Sequence, residues 1–275
     1  MGEKFHGVLL LSDMDGTLLN DEKTVPAKNI EAVKYFVENG GAFSIASGRA
    51  PASIIRYFSV LPVNVPIITL NGAIIYDGNK GETVWDMGMD KEVASTVMED
   101  VIAHFPHVGV EVYSAHGVHI LVQNDNTRAH MQRESLVHFF EKPREIDAPN
   151  WYKVLFAAPH EKLCKVEQYI RENGYEERFS SVRYVYSEAY FYEALGADIS
   201  KGNALDRLCD MCGFNREKTY AVGDNYNDME MMTRAGFSFA PKSAVPPILA
   251  AASKVVCSNN DGAVSEAIAY LDEIY

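Results

Sequence analysis

The chain has 275 residues, with 25 basic and 38 acidic side chains and a formal net charge of −13. Hydrophobic residues make up 47% and charged residues 23%, as in ordinary globular proteins, which argues against a disordered or fibrous chain. So acidic a chain repels polyanions, and we expect neither nucleic acid nor an anionic membrane as a partner. The apolar run Val8–Leu11 is too short for a signal-peptide core, and no stretch approaches the length of a membrane span. We therefore expect a cytoplasmic protein.

The first third of the chain alternates strand and helix patterns at short intervals. In order, the predicted elements are the strand Val8–Leu11, a helix from Pro26 to the Gly40-Gly41 stop, the strand Phe43–Ala46, the helix Pro51–Val60 and the strand Pro66–Leu70. Strands separated by helices of this length imply right-handed crossovers and a parallel sheet.

After Asn71-Gly72 the pattern changes. A predicted β-hairpin around Asp77–Gly81 comes first. Between about Asp90 and Tyr192, strand-like stretches surround two helical patterns, at Val93–Phe105 and Leu163–Asn173. This mixture predicts a separate α+β unit with antiparallel strands and its helices on one face.

The last third returns to the first pattern. Its predicted elements are a helix from Lys201, the strand Thr219–Val222, a helix from Asp228, the strand Gly236–Ala240, a helix from Ala244, the strand Lys254–Val256 and a helix from Gly262. We therefore predict an α/β core with a parallel sheet over residues 1–88 and 194–275, interrupted by an inserted α+β domain over residues 89–193.

Two aspartates follow the first predicted strand. Asp13 and Asp15 are two residues apart, so both carboxylates point to the same side at the carboxyl edge of the sheet, where sites form in parallel sheets. Two carboxylates this close repel each other, so a metal cation or a shared proton must stabilise them. A simple turn with a helix cap is the alternative, because Asp-Gly pairs are common in turns.

A second acidic segment, Gly223–Asp228, follows the predicted strand that ends at Val222. It is not an EF-hand loop, because Tyr226 stands where a ligand is needed and Met229 where a glycine is needed. Asp224 and Asp228 instead flank a loop-to-helix junction. Oxygen ligands without His or Cys favour magnesium.

Two further segments start helices at the same predicted edge. Ser47-Gly48 offers a hydroxyl and free N–H groups to a phosphate oxygen, and Lys201 brings a cation. Each segment alone is explained equally well by a helix cap. Four such segments at four strand-to-helix junctions point instead to one site that binds phosphate and metal.

Together these segments resemble the motifs of the haloacid dehalogenase (HAD) superfamily, in particular its Cof-type phosphatases with a large C2-type (IIB) cap. The resemblance rests on DMDGTLLN at 13–20, ASGR at 46–49, TLNGA at 69–73, SKGNAL at 200–205, GDNYND at 223–228 and SNNDGAVSEAI at 258–268. It implies a Rossmann-like core and an inserted α+β cap that selects the leaving group.

The resemblance also implies a role for each motif residue. Asp13 is the nucleophile that forms an aspartyl-phosphate, and Asp15 is the general acid and base. The residues expected to hold the phosphoryl group are Ser47, Gly48, Lys201 and Asn227. The magnesium ion is expected on the Asp13 carboxylate, the Asp15 backbone carbonyl and Asp224, with Asp228 supporting them.

The function implied is hydrolysis of small phosphomonoesters such as sugar phosphates. A phosphosugar mutase of the same superfamily and a non-catalytic sensor of phosphorylated metabolites are the alternatives. The sequence does not identify the substrate. In the inserted domain, four tyrosines alternate along a predicted hairpin, where they form either an aromatic platform for a substrate or ordinary strand packing: Tyr184, Tyr186, Tyr190 and Tyr192. His116 and His119 have equally open roles there.

The pair Cys209 and Cys212 forms a CxxC motif, which can indicate redox chemistry or half of a zinc site. No second pair accompanies it, and the segment has a helical pattern. We therefore interpret the two cysteines as part of a packed helix.

Overall fold

A computed structural model describes residues 3–134 and 136–275 of the protein. Met1 and Gly2 of the expected core and Ser135 of the expected insertion lie outside the described residues. The chain divides into two compact units, which we call the core unit (Met1–Asp86 with Ser200–Tyr275) and the inserted unit (Met87–Ile199).

The strands of the described residues are mostly short. In chain order they are β1 (Leu9–Ser12), β2 (Ala42–Ile45), β3 (Ile67–Thr69), β4 (Ile74–Asp77), β5 (Glu82–Asp86), β6 (Gly109–Ser114), β7 (Gly117–Val122), β8 (His138–Phe140), β9 (Trp151–Ala157), β10 (Val182–Glu188), β11 (Phe191–Gly196), β12 (Thr219–Val222), β13 (Phe237–Pro241) and β14 (Lys254–Val256).

The helices range from one turn to about four turns. They are α1 (Ala27–Glu38), α2 (Pro51–Ile55), α3 (Lys91–His104), α4 (Asp125–Glu134), α5 (His160–Glu172), α6 (Tyr175–Arg178), α7 (Lys201–Cys212), α8 (Met229–Arg234), α9 (Pro246–Ala251) and α10 (Ala263–Ile274). Among the residues described, none of these helices combines the length and the apolar character needed to cross a bilayer.

The core unit is built on a five-stranded sheet in the order β14-β13-β12-β1-β2, and every pairing in it is parallel. Its central strand β1 is buried on both faces, which explains its unbroken apolar sequence. Leu10 packs into the cluster formed with α1 and α10, while Leu9 and Leu11 pack on the opposite face with α7. This confirms the predicted α/β core.

One predicted strand of the core pairs differently. β3 was expected in the parallel sheet, but it pairs antiparallel with β4, and β4 pairs antiparallel with β5, so that the three form a separate sheet. β3 keeps a single parallel bridge, Ala46↔Ile68, to the residue that follows β2. Only three residues of β3 are extended before the chain turns at Leu70, so the strand pairs with its own hairpin instead.

The CxxC pair lies on α7, as its helical pattern predicts. Cys209 is buried and Cys212 is exposed, and both are free thiols. Cys209 packs with Leu205 and Leu208 against the sheet, so it serves as an apolar side chain of the core.

The inserted unit contains a six-stranded sheet in the order β10-β11-β9-β6-β7-β8. α3 and α5 cover one face, where they pack on Val112 of β6 and on Phe156 of β9. Two elements depart from the sequence prediction. β8 pairs parallel with β7, and α4 lies on the opposite face, because Glu111 of β6 points away from Val112 and contacts His130 of α4 at 2.9 Å.

The tyrosines of the inserted unit mostly serve packing. Tyr186 and Tyr192 lie with ring centroids 4.6 Å apart, Tyr184 stacks on Tyr192, and the Tyr186 hydroxyl donates a hydrogen bond to Glu167 of α5. Tyr190 is 52% exposed and does not join this stack. The alternating row therefore does not form one platform.

The histidines of the β6–β7 hairpin also differ from each other. His119 is buried and lies between the Ser114 hydroxyl and the Glu141 carboxylate, at 2.7 Å from each. His116 is exposed on the turn. Both ring nitrogens of the buried His119 thus have hydrogen-bond partners inside the inserted unit.

The central position of β1 leads to a stability prediction. We expect Leu10→Ala to lower the free energy of unfolding by about 2–5 kcal/mol, because it leaves a cavity in a fully buried cluster. The matched control Val255→Ala removes an apolar side chain from edge strand β14 that is 47% exposed, and should change the free energy by about 0.5 kcal/mol or less. Urea denaturation of both variants measures the change in the free energy of unfolding. Equal losses of unfolding free energy in the two variants would contradict the burial of Leu10 in this cluster.

Candidate active site

Strand pairing brings the two aspartate motifs together. β1 and β12 are neighbours with Ser12 opposite Val222, and the Asp13 N–H donates to the Val222 carbonyl at 2.8 Å. The two strands therefore end side by side at the carboxyl edge of the sheet. Carboxylate oxygens of Asp13, Asp224 and Asp228 all lie within 4.8 Å of one another there. We call these three residues the carboxylate cluster.

Lys201 provides a buried positive charge at this cluster. It is the first residue of α7, its side chain is fully buried, and its Nζ donates to Asp13 Oδ1 at 2.5 Å and to Asp228 Oδ1 at 2.6 Å. Burial alone would lower the pKa of Lys201, but the two carboxylates outweigh burial and raise the pKa above its ordinary value. Lys201 therefore carries a full charge at neutral pH.

Asp228 fixes the loop that follows β12. Its Oδ2 accepts hydrogen bonds from the backbone N–H groups of Asp224 at 2.9 Å and Asn225 at 3.0 Å. Gly223 packs against it so closely that an added Cβ would lie 2.6 Å from the Asp228 Cβ. One carboxylate thus holds both Lys201 and the loop that carries Asp224.

Asp224 is contacted by residues of the segment that follows β1. The Thr17 hydroxyl donates to Asp224 Oδ1 at 2.7 Å, and Gly16 adopts φ +85° in direct contact with the same carboxylate. A Cβ on Gly16 would lie 2.4 Å from Asp224 Oδ2, so both the backbone conformation and the space require glycine. Burial and the neighbouring Asp228 raise the pKa of Asp224 to about 7.

The charges of the cluster fit a divalent cation. Three ionised carboxylates and one ammonium leave two negative charges in a buried site, and burial raises the pKa of Asp13 well above its usual value despite Lys201. A proton or a cation must therefore complete the site. Carboxylate oxygens without His or Cys are the donor set of a hard cation such as Mg²⁺.

The Asp15 side chain lies in a separate ion pair. Arg49 donates to it twice, from Nε at 2.6 Å and from Nη2 at 2.8 Å, and Lys23 Nζ donates at 2.8 Å. Burial alone would raise the pKa of Asp15, but Arg49 and Lys23 outweigh it and hold the pKa well below its usual value. Lys23 and Arg49 received no role from the sequence, although Arg49 belongs to the ASGR motif.

The phosphate-binding candidates lie at neighbouring junctions of the core unit. Ser47 is buried after β2, and its hydroxyl accepts the Arg49 N–H at 3.2 Å, which begins the turn into α2. Asn227 lies in the loop after β12, one residue before Asp228, and its Nδ2 donates to Asn71 Oδ1 at 2.9 Å. Asn71 also lies against Gly48, and the sequence assigns no role to Asn71.

The Asp15 ion pair leads to a prediction about stability. Arg49→Met should lower the free energy of unfolding by about 3 kcal/mol, because it leaves the mostly buried Asp15 carboxylate with only the more exposed Lys23. Arg144→Met is the matched control. Arg144 makes the same two-pronged contact with Glu99, but at the surface, with its side chain 87% exposed.

We expect the control to leave the urea unfolding midpoint nearly unchanged, because water screens exposed ion pairs. Equal shifts in both variants would contradict a special contribution from the buried pair.

Comparison with known proteins identifies the family of the chain. The family model of haloacid dehalogenase-like hydrolases matches residues 10–268. The chain is 26% identical to the 5-amino-6-(5-phospho-D-ribitylamino)uracil phosphatase YwtE of Bacillus subtilis, over 92% of this chain and 94% of that protein. It is 28% identical to the HMP-PP phosphatase of Serratia proteamaculans, over 86% of this chain and 84% of that protein.

One solved structure matches nearly the whole length of the chain. The crystal structure of a haloacid dehalogenase-like hydrolase from Bacteroides thetaiotaomicron is 25% identical and superimposes with a TM-score of 0.81, covering 98% of this chain and 99% of that chain. The family resemblance seen in the motifs is therefore confirmed. The chain belongs to the haloacid dehalogenase-like hydrolase family, and the two relatives described above are named as phosphatases.

Proposed function

We propose that the chain is a Mg²⁺-dependent phosphatase that hydrolyses small phosphomonoesters through an aspartyl-phosphate on Asp13. The observation that carries the proposal is the buried carboxylate cluster with Lys201 between Asp13 and Asp228. A nucleophile for phosphorus needs a cationic surrounding, since both it and the phosphoryl group are anions. Lys201 and a divalent cation on the cluster provide that surrounding inside a chain of net charge −13.

The reaction takes place in two displacements. An oxygen of Asp13 forms a bond to phosphorus while the bond from phosphorus to the leaving oxygen breaks, and Asp15 gives that oxygen a proton. Asp15 then takes a proton from water, whose oxygen attacks the phosphorus and releases Asp13 and inorganic phosphate. Ser47, Gly48, Lys201 and Asn227 bind the phosphoryl oxygens during both displacements.

The metal ligands follow from the same cluster. Asp13 and Asp224, with the Asp15 backbone carbonyl, would hold Mg²⁺, and Asp228 would support them through Lys201 and the loop it fixes. When bound, the ion supplies positive charge that offsets the charge of the transferring phosphoryl group.

The substrate class is a small phosphorylated metabolite. The two phosphatases compared above are named for substrates of this kind, which supports the same class here. We propose that the inserted unit acts as the cap that selects the leaving group.

The nucleophile assignment is tested with Asp13→Asn. The wild-type protein should release phosphate from an aryl phosphate only when Mg²⁺ is present, and Asp13→Asn should lose at least about a thousandfold in kcat. Asp210→Asn, a change at an exposed acid on α7, is the control and should keep full activity. Phosphate release by Asp13→Asn at the wild-type rate, with EDTA present, would rule the mechanism out.

The two roles of Asp15 lead to a separate kinetic prediction. Asp15→Asn should slow the turnover of alkyl phosphates by about 10²–10⁴-fold, because the leaving alkoxide receives no proton. With p-nitrophenyl phosphate the leaving group needs no acid, so this variant should release about one equivalent of nitrophenol per enzyme and then stall. Rapid-quench measurement reveals the burst, and Asp13→Asn should show none. Steady release at the wild-type rate would contradict the role of Asp15 in the second displacement.

A further inference from the structure

The short turn Leu70–Gly72, between β3 and β4, has an unusual backbone. Leu70, Asn71 and Gly72 adopt φ angles of +48°, +58° and +103° in succession. Left-handed backbone is unfavourable for residues with a Cβ, and especially for a bulky side chain such as that of leucine. Such a conformation persists only where its surroundings hold it, and it is frequent at functional sites. The contacts of this turn with three neighbouring segments hold it in this conformation.

The backbone of the turn is bonded to the segment that follows β2. The Leu70 N–H donates to the Arg49 carbonyl and the Asn71 N–H donates to the Ser47 carbonyl, both at 3.0 Å. These two bonds join the turn to both ends of the Ser47–Arg49 segment. The turn therefore helps to fix the backbone that carries the Ser47 hydroxyl and Gly48.

Gly72 brings the same turn against the start of α7. A Cβ on Gly72 would lie 2.2 Å from the Ser200 carbonyl oxygen and 3.1 Å from the Lys201 nitrogen. Only glycine allows this close approach at φ +103°. The turn thus supports the backbone from which Lys201 extends.

The side chain of Asn71 completes the set of contacts. It is 1% exposed, its Oδ1 accepts the hydrogen bond from Asn227 Nδ2 at 2.9 Å, and the same oxygen lies 3.1 Å from where a Cβ on Gly48 would be. Asparagine adopts left-handed backbone more readily than most residues. One residue therefore combines the required φ with a carboxamide that reaches the loop after β12.

We propose that the Leu70–Gly72 turn positions Ser47, Lys201 and Asn227 for the phosphoryl group, with Asn71 as a positioning residue that acts through Asn227. This inference rests on the proposed phosphatase function and deepens it. The three phosphate-binding segments are far apart in the sequence, and the turn contacts all three. It sets their spacing to match the oxygens of one phosphoryl group.

The test combines Asn71→Gly with Asn227→Ala in a double-mutant cycle. Glycine keeps the left-handed backbone and removes the buried side chain with its hydrogen bond, so the variant should fold with a lower unfolding midpoint. Asn71→Gly should lower kcat/KM for an aryl phosphate by about tenfold to a hundredfold, because a misplaced phosphate ligand costs that much. The inhibition constant of inorganic phosphate should rise in the same variant, because phosphate binds less tightly.

The coupling between the two residues distinguishes positioning from simple support of the fold. If Asn71 acts through Asn227, the double variant should be as active as Asn227→Ala alone, to within about twofold. If the two residues acted independently, the losses of kcat/KM in the two single variants would multiply in the double variant. The matched control is Asn64→Ala, because Asn64 also joins two segments, through Phe43 N–H and the Gly41 carbonyl, at the opposite end of β2. It should lower the unfolding midpoint and leave kcat/KM and phosphate inhibition unchanged.

The outcomes also separate this inference from the function on which it rests. Absence of phosphate release by the wild-type protein would overturn the proposed phosphatase function. An active wild-type protein together with an equally active Asn71→Gly, or with multiplying losses in the double variant, would overturn only the positioning role.

Discussion

The site depends on one buried ammonium group. Lys201 is fully buried and contacts two carboxylates, and without it Asp13 and Asp228 would face each other as uncompensated buried charges. Because one ammonium cannot neutralise three carboxylates, the cluster still attracts a cation, and burial keeps the pKa values of Asp13 and Asp224 high until one is present. The same surplus of negative charge repels a phosphate ester, so the proposed reaction needs a bound cation as well as Lys201.

The parallel sheet makes this imbalance possible. Asp13 and Asp224 are more than two hundred positions apart in the chain, yet β1 and β12 pair in register and end at the same edge. The next strand on the other side, β2, brings Ser47 to that edge, and α7 begins there with Lys201. Short loops, Gly16 and the hydrogen bonds of Asp228 then fix the carboxylates in place. The fold thus brings together charges that repel each other and holds them there by backbone geometry.

Much of this could be predicted from the sequence, because motif spacing and apolar runs are local signals. The strands β12 and β14 have the predicted bounds, and the predicted α/β core is confirmed. α4 was missed because its buried positions are Thr127, His130 and Glu134, so it has no apolar periodicity. The partners of Asp15 and the left-handed turn at Asn71 were missed for another reason. The Asn-Gly pair signals a left-handed turn by residue type, but the contacts of that turn and the partners of Asp15 are tertiary and cannot be read from residue type and spacing.

The Asp15 ion pair sets a condition on the proposed acid role. A carboxylate that accepts three hydrogen bonds from Arg49 and Lys23 is stabilised in its ionised form, so in this arrangement it is a weak proton donor. To protonate a leaving group, it must first lose part of this contact. An incoming phosphate ester is an anion that attracts the same two cations, and their movement toward it would raise the pKa of Asp15 as the reaction begins. On this view Asp15 takes up a proton from solvent once a phosphate ester binds, and until then it is an ionised residue that stabilises the structure.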